Sequence, residues 1–380
     1  MKAAFINNSA ETFTPTQSGA IATHIWECCR AARSRGIEPL VISIRCEAEP
    51  YREVKTMLLD YPRIPNHPTL IKALRAQRKL TGWRHLRQGA YAGRVAGAVR
   101  EAGMESGTLI LHNDPELAVV LRERFPKAYL VHHFHNLLEC KTRFRRRFKD
   151  AVDAITAVSD FTSRWVEDYY GCGKVTTIYN GVDSERFVPM ERADDFVPVI
   201  NFTGRTGIEK APDLLLQAAC RLTERTKAFA IQILGSNHWQ KFEWDEYQRT
   251  LAGLSEELER KGVRVHRPGH VERESLPHNL QKADIHVVPS RWDEPFGLVT
   301  VEGMACGLAT VASRTGGTPE LVGNAGLLFE RDSVEELTNH LYELVTNRDL
   351  RRDLGRKARA RAQEFSWSRT WDSFSRLGQE

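Results

Sequence analysis

Short apolar runs alternate with stretches of helical spacing along this chain, and the alternation stops once and then restarts. Lys2–Asn7 is a short apolar run, and Ala20–Arg35 follows with Ile21, Ile25, Cys28 and Ala32 on one helical face. Gly36 suits a helix end, and Pro39–Ile44 is apolar again. Further strands are expected at Thr108–His112, Tyr129–Phe134, Ala154–Val158 and Val175–Tyr179. Parallel strands need a crossover, usually a helix, so this alternation predicts parallel sheets wrapped by helices. Phe187–Pro198 interrupts it with two prolines and the run Glu191-Arg192-Ala193-Asp194-Asp195, and reads as a linker. The pattern resumes with strands at Val199–Thr203, Phe229–Leu234, Val263–Arg267, Ile285–Pro289 and Thr310–Ser313. Helices are expected among them at Ala211–Leu222 and Leu298–Cys306. A chain of 380 residues has room for two or three domains. The single restart selects two α/β domains of similar size, 1–190 and 191–363.

Composition narrows the function classes. No window approaches the ~18 uncharged apolar residues of a membrane span. The apolar run in Met1–Asn8 is too short for a secretory signal and reads better as a buried strand. The seven cysteines (28, 29, 46, 140, 172, 220, 306) are scattered, with no Cys-x-x-Cys, which argues against a disulfide framework or structural zinc and fits a reducing cytoplasm. Charge is uneven. Residues 1–190 carry 28 Lys and Arg against 20 Asp and Glu, whereas residues 191–380 carry 26 against 29. A positive first half favours an anionic partner. Its basic segments are Leu70–Arg100, with eight cationic residues from Lys72 to Arg100, and Lys141–Lys149, with Phe144 and Phe148 four apart. The second admits two readings: a helix lying on an anionic membrane, or a solvated helix with its aromatics in the core. No nucleic-acid-binding module is present, and no nucleic acid is expected as partner.

The densest chemistry lies at 284–307. Asp284–Arg291 reads as a strand running to its carboxyl end, Trp292–Gly297 as a loop, and Leu298–Gly307 as a helix. Open α/β sheets bind ligands at the carboxyl ends of strands, where helix amino termini face them. The amides of Gly297, Leu298 and Val299 are therefore candidates to hold a diphosphate. Glu294 and Glu302 are eight residues apart, ~12 Å of rise if helical. Retaining glycosidases hold their carboxyls ~5 Å apart. The wider spacing suits two carboxylates gripping opposite ends of an extended ligand, each accepting hydrogen bonds from hydroxyls. Gly204-Arg205-Thr206-Gly207 and Gly171-Cys172-Gly173-Lys174 complete neither a dinucleotide fingerprint nor a P-loop.

Glu294-Pro295-Phe296-Gly297 with Glu302 resembles the retaining sugar-nucleotide glycosyltransferases of family four, of GT-B architecture. Supporting pieces are Val158-Ser159-Asp160-Phe161, Asn180-Gly181-Val182-Asp183, Phe202-Thr203-Gly204-Arg205 with Lys210, Gly235 after a strand, Pro268-Gly269-His270-Val271, Gly316-Gly317-Thr318-Pro319-Glu320 and Phe365-Ser366-Trp367. The resemblance spans nearly the whole chain and is strongest from 155 to 370. It implies two Rossmann-like, doubly wound domains facing across a cleft, with the acceptor on the first and the sugar nucleotide on the second. It implies that a final helix, about 364–380, packs back on the first domain. Glu302 would hold the ribose, Glu294 the donor sugar, and Arg205 and Lys210 the diphosphate as its charge grows. Gly204, Gly235, Val271 and Phe296 would complete the donor site. The loop Thr14–Ala20 would approach the donor through Ser18 and Gly19, although the family usually has two adjacent glycines there. A histidine at the end of strand Tyr129–Phe134 would face the donor sugar; His135 fits by position and His133 is the alternative.

The resemblance implies retaining, metal-independent transfer from a nucleoside-diphosphate sugar, UDP before GDP by family frequency, to a glycan, lipid-linked or small-molecule acceptor. No metal cofactor is expected, since the chain has no Asp-x-Asp clamp. The basic first half points to bacterial cell-surface polysaccharide or lipopolysaccharide assembly in the cytoplasm, peripheral at the inner membrane face. Rival readings are a sugar-nucleotide epimerase of similar fold, a catalytically silent sugar-nucleotide-binding partner, and a membrane-active basic protein.

Overall fold

The computed structural model describes residues 2–16, 19–60, 86–190, 197–237 and 245–378. The chain divides into two compact units, Met1–Tyr179 with Trp367–Glu380, and Asn180–Ser366. The division thus falls at Tyr179/Asn180, before the expected 190, and again at Ser366/Trp367. Packing explains the earlier boundary. Phe187 is buried in the second unit, where the Arg359 guanidinium donates to its carbonyl at 2.6 Å. The N–H of Val182 donates to the Phe365 carbonyl at 3.0 Å. Of the expected linker, 191–196 lies outside the described residues.

The first unit contains β1 (Ala3–Ile6), α1 (Ala20–Arg33), β2 (Leu40–Ile44), β3 (Lys55–Leu59), α2 (Leu86–Glu101), β4 (Thr108–His112), α3 (Pro115–Arg124), β5 (Tyr129–Phe134), α4 (Thr142–Ala151), β6 (Ala154–Ala157), α5 (Asp160–Tyr170) and β7 (Thr176–Thr177). Its strands are ordered β3-β2-β1-β4-β5-β6-β7 and all parallel, with Phe5 opposite Val41 on one side and Ile110 on the other. Sequence chemistry sets the helix ends. Asp114 caps α3 by accepting from the Leu117 N–H at 2.9 Å, with Pro115 at the first helical position. Gly171 ends α5 at a φ of +58°.

The second unit contains β8 (Val199–Thr203), α6 (Pro212–Leu222), β9 (Ala230–Leu234), α7 (Glu246–Arg260), β10 (Val265–Gly269), α8 (Leu276–Leu280), β11 (Ile285–Val288), α9 (Leu298–Ala305), β12 (Ala309–Ser313), α10 (Thr318–Val322), β13 (Gly326–Phe329), α11 (Val334–Thr346) and α12 (Arg348–Ala362). Its parallel sheet runs β10-β9-β8-β11-β12-β13. Both sheets therefore have the Rossmann order. Each has a switch point, between β1 and β4 and between β8 and β11, where carboxyl ends of strands open to a ligand. The chain returns to the first unit with α13 (Trp367–Arg376), which buries Trp371 and Phe374 beside Phe5. Arg35, just after α1, pairs with Asp372 of α13 at 2.8 Å.

The strong helical face expected for α1 is the buried one, carrying Ile21, Ile25, Cys28 and Ala32, and with them His24. In α4, Phe144 and Phe148 are buried against the rest of the core while Arg143, Arg146, Arg147 and Lys149 are exposed. The aromatics therefore do not belong to the basic surface. Of Leu70–Arg100, residues 70–85 lie outside the described residues.

Candidate active site

In the second unit, β8, β9 and β10 end side by side, and the loops leaving them enclose a hollow of about 150 Å³. Gly204, Arg205, Gly235, Ser236, His270 and Val271 line it. Four donor-site candidates, Gly204, Arg205, Gly235 and Val271, are thus gathered in one place. Two glycines make this close approach feasible. Gly235 sits at a φ of +136°, and a Cβ there would stand 1.9 Å from the Gly204 carbonyl oxygen. Arg205 is exposed and forms no ion pair with any described residue.

Across the switch point, the loop after β11 carries Glu294. It is 3% exposed, and its Oε1 accepts from the Lys210 ammonium and from Ser290 Oγ at 2.6 Å. Ser290 is held in turn by Ser313, whose hydroxyl donates to the Ser290 carbonyl at 2.7 Å. Lys210 also lies 5.4 Å from the centroid of the Trp292 ring. So the residues assigned to sugar and to diphosphate are tied to each other. The pairing of β8 with β11 accounts for it, since Lys210 follows β8 and Glu294 follows β11. Gly316, at a φ of +53°, lets its loop pack on Glu294: a Cβ there would lie 2.3 Å from the Glu294 carbonyl oxygen. Arg291 anchors the same loop to α6 with a two-pronged contact to Asp213, each prong 2.8 Å. Burial works to raise the Asp213 carboxyl, but Arg291 and the Tyr247 hydroxyl override it and leave it below the ordinary range.

Glu302, on α9, is 2% exposed. Its Oε1 accepts from Arg273 at 2.7 Å, and its Oε2 has no hydrogen-bond partner among the described residues. Gly297, at a φ of +88°, turns the chain into α9, so Leu298 and Val299 form the first turn, where amides lack intrahelical partners. Phe296 is 2% exposed and packs edge-on against Phe365, with ring centroids 6.0 Å apart. It supports the loop from beneath. Under α9, Gly303 makes room for the His286 ring, which a Cβ would meet at 2.3 Å. Burial pushes His286 down to about 4, so it is neutral, and it is fixed by Asn201 at 3.0 Å.

In the first unit, Ser18 lies outside the described residues and Gly19 precedes α1. The amides there already hold a carboxyl group. Glu11 Oε1 accepts from Gly19 N–H at 2.6 Å and from Ala22 N–H at 3.0 Å. Burial raises the Glu11 carboxyl, and these amide bonds oppose the rise. His135 follows β5, and its backbone N–H donates to Asn113 Oδ1 at 2.7 Å. It is 7% exposed, against 0% for His133, whose Nδ1 is engaged with Thr156 Oγ1 at 2.8 Å. Nδ1 of His112 and Nε2 of His135 are 2.9 Å apart. Burial first, and neighbouring imidazoles second, hold His112, His133 and His135 well below the ordinary histidine range. Sequence reasoning missed Glu11, His112, His24, Arg273 and Trp292. Trp292 adjoins the Glu294 motif and had a positional signal. Arg273, in a charged turn, had none.

Two family models cover most of the chain: "Glycosyltransferase Family 4" matches residues 21–186, and "Glycosyl transferases group 1" matches residues 184–361. The chain is similar to a D-inositol 3-phosphate glycosyltransferase of Thermobifida fusca, 31% identical over 277 residues, 64% of this chain and 62% of that protein. It spans 48% and 51% of two other proteins of that name. It is 28% identical to the lipopolysaccharide 1,2-N-acetylglucosaminetransferase of Salmonella typhimurium, over 71% of this chain and 72% of that one. Among solved structures, Anabaena HepE in complex with UDP has the same fold, with a TM-score of 0.72 at 19% identity, covering 99% of this chain and 98% of that one. With both halves matched, and two Rossmann-like sheets in order, this chain belongs to the family-four glycosyltransferases of GT-B architecture.

Proposed function

We propose that this protein transfers a sugar, with retention at the anomeric carbon, from a nucleoside-diphosphate sugar to a glycan, lipid-linked or small-molecule acceptor in bacterial cell-surface polysaccharide or lipopolysaccharide assembly. UDP is the favoured nucleotide and GDP the second. One observation carries the reading. At the carboxyl end of the second sheet stand two buried carboxylates, each held by a cation: Glu294 by Lys210 and Glu302 by Arg273. Buried carboxylates suit hydroxyl recognition, and cations at the same edge suit a diphosphate. UDP bound in the HepE structure and the lipopolysaccharide substrate in the Salmonella relative's name support the choice of nucleotide and pathway.

In this reading Glu302 takes the ribose hydroxyls and Glu294 the sugar hydroxyls. Arg205, Lys210 and the amides of Gly297, Leu298 and Val299 meet the diphosphate, and His135 serves the donor sugar. The acceptor oxygen bonds to the anomeric carbon as the bond to the diphosphate breaks, and its proton passes to the departing phosphate oxygen. The cations and the helix amides supply the positive charge that leaving-group departure needs, so the step uses no metal cofactor. The first unit takes the acceptor. The enzyme works in the cytoplasm, peripheral at the inner membrane face; among the described residues no helix is long and apolar enough to cross a membrane.

The test is thermal unfolding with UDP, GDP, ADP, CMP and dTDP in turn. A nucleotide at about a hundred times its Kd adds ~2.7 kcal/mol of stability. One nucleotide should raise the midpoint, and Glu302→Ala, referred to its own unliganded midpoint, should lose that rise. No rise with any nucleotide overturns the donor assignment. Glu294→Ala should abolish transfer while keeping the nucleotide-induced rise. Wild-type protein that binds nucleotide without turnover would be a silent binder, and an epimerised nucleotide formed without acceptor would identify an epimerase.

A further inference from the structure

We infer that His24, His112 and His135 form a binding site for a divalent transition-metal ion of the zinc class, in the core of the first unit. The three come from different elements: α1, the end of β4 and the residue after β5. One ring nitrogen from each lies within 4.8 Å of the other two, and all three side chains are buried. Among the described residues this is the one such group of histidine, cysteine and carboxylate donors. Three imidazoles with an open fourth position are a common donor set for this class of ion.

Two features favour an ion over a purely structural cluster. First, His112 Nδ1 and His135 Nε2 stand 2.9 Å apart, so two neutral rings share one proton there. A metal ion can replace that proton, holding both nitrogens at ~2.0–2.1 Å. Nitrogens around a tetrahedral ion are then roughly 3.4 Å apart, so the triad closes on it with a shift of about an ångström. Second, the surroundings suit a dry site. The Phe5 ring stacks on His112 at 5.8 Å, and Trp367 and Phe374 stand edge-on to His24, each 5.7 Å away. A low-dielectric shell strengthens ion–ligand attraction. The ion would not serve the proposed transfer. It would withdraw His135 from the donor sugar and act as an inhibitor; that consequence alone rests on the transferase reading.

The experiment uses the untagged full chain, stripped with a chelator and titrated with Zn²⁺ by calorimetry and with Co²⁺ by visible absorption. One equivalent should bind, with the intense absorption of a four-coordinate cobalt site. His24→Gln and His135→Gln should each weaken Zn²⁺ at least tenfold. His132→Gln should leave affinity within twofold, since His132 is spent on the Asp114 N–H at 3.1 Å. Because a buried substitution can unfold the protein, imidazole ¹⁵N spectra of the unaltered chain provide the second reading: the resonances of His24, His112 and His135 should shift together at one equivalent. No saturable uptake, uptake unchanged in both variants, or shifts confined to other histidines would overturn the site. None of these readouts is transfer activity, so failure here leaves the transferase reading standing, and failure of nucleotide binding leaves this one standing.

Discussion

The Lys210–Glu294 contact sits where a stability role and a catalytic role meet. The Glu294 side chain is 4% exposed and that of Lys210 19%, so the carboxylate depends on the ammonium more than the reverse. Lys210→Met leaves a buried carboxylate with Ser290 as its remaining side-chain partner among the described residues. Removing one member of a buried pair costs about 3–5 kcal/mol, and the partial exposure of Lys210 lowers the expectation to about 2–4 kcal/mol. For a unit of this size that is a fall of roughly 6–12 °C in the unfolding midpoint. Glu294→Gln costs less, because the ammonium reaches water. The double variant should recover part of the loss, with a coupling of about 1–3 kcal/mol in the cycle. Strictly additive midpoints would mean that the pair contributes nothing to folding. Catalysis separates from stability in Lys210→Ala. Its rate of transfer should fall further than its nucleotide affinity, because leaving-group charge peaks in the transition state.

Glycines distinguish the elements that build the donor hollow from those that only support it. At Gly235 a Cβ would overlap the Gly204 carbonyl, and the +136° φ disfavours any L side chain. Gly235→Ala should therefore abolish the nucleotide-induced rise in midpoint and lower the midpoint itself. Gly253, exposed inside α7, has no neighbouring atom within 4 Å of a built Cβ. Gly253→Ala should add about 0.5–1 kcal/mol and leave nucleotide binding unchanged. A loss of binding in Gly253→Ala, or its survival in Gly235→Ala, would contradict this division. At the same scale, legibility followed burial. Central strands such as Ile285–Val288, buried on both faces, read as apolar runs. The two strands that no pattern announced, Lys55–Leu59 and Gly326–Phe329, are sheet edges paired on one side only. Edge strands carry weaker hydrophobic signals because one flank meets solvent or loop. In the site, spacing along α9 and its loop pointed to Glu294 and Glu302, whereas Arg273 and Glu11 reach their partners from separate loops. Such contacts are set by tertiary closure and leave no periodic trace in sequence.

Charge belongs to the whole molecule. The first half is strongly basic and the second slightly acidic, and the described part of that basic surface includes the outer face of α4. Its two phenylalanines are in the core, Phe148 packing edge-on against His132 and Phe134 with ring centroids 5.0 and 5.7 Å away. Any attachment of α4 to a membrane is then electrostatic, without insertion of aromatic side chains. Arg145, Arg146 and Lys149, with Asp168 and Tyr169, line a hollow of about 450 Å³ beside α5. Each basic residue near an anionic surface contributes about 1 kcal/mol. Replacing Arg145, Arg146 and Arg147 with glutamine should therefore weaken binding to phosphatidylserine vesicles by about 3 kcal/mol, on the order of a hundredfold. Because the attraction is screened beyond ~10 Å at 0.1 M salt, wild-type binding should itself disappear towards 1 M. Vesicle sedimentation across a salt series reads both. Binding that survives high salt would require apolar insertion from elsewhere in the chain. Binding unchanged in the triple variant would make α4 a solvated helix whose charge serves solubility alone.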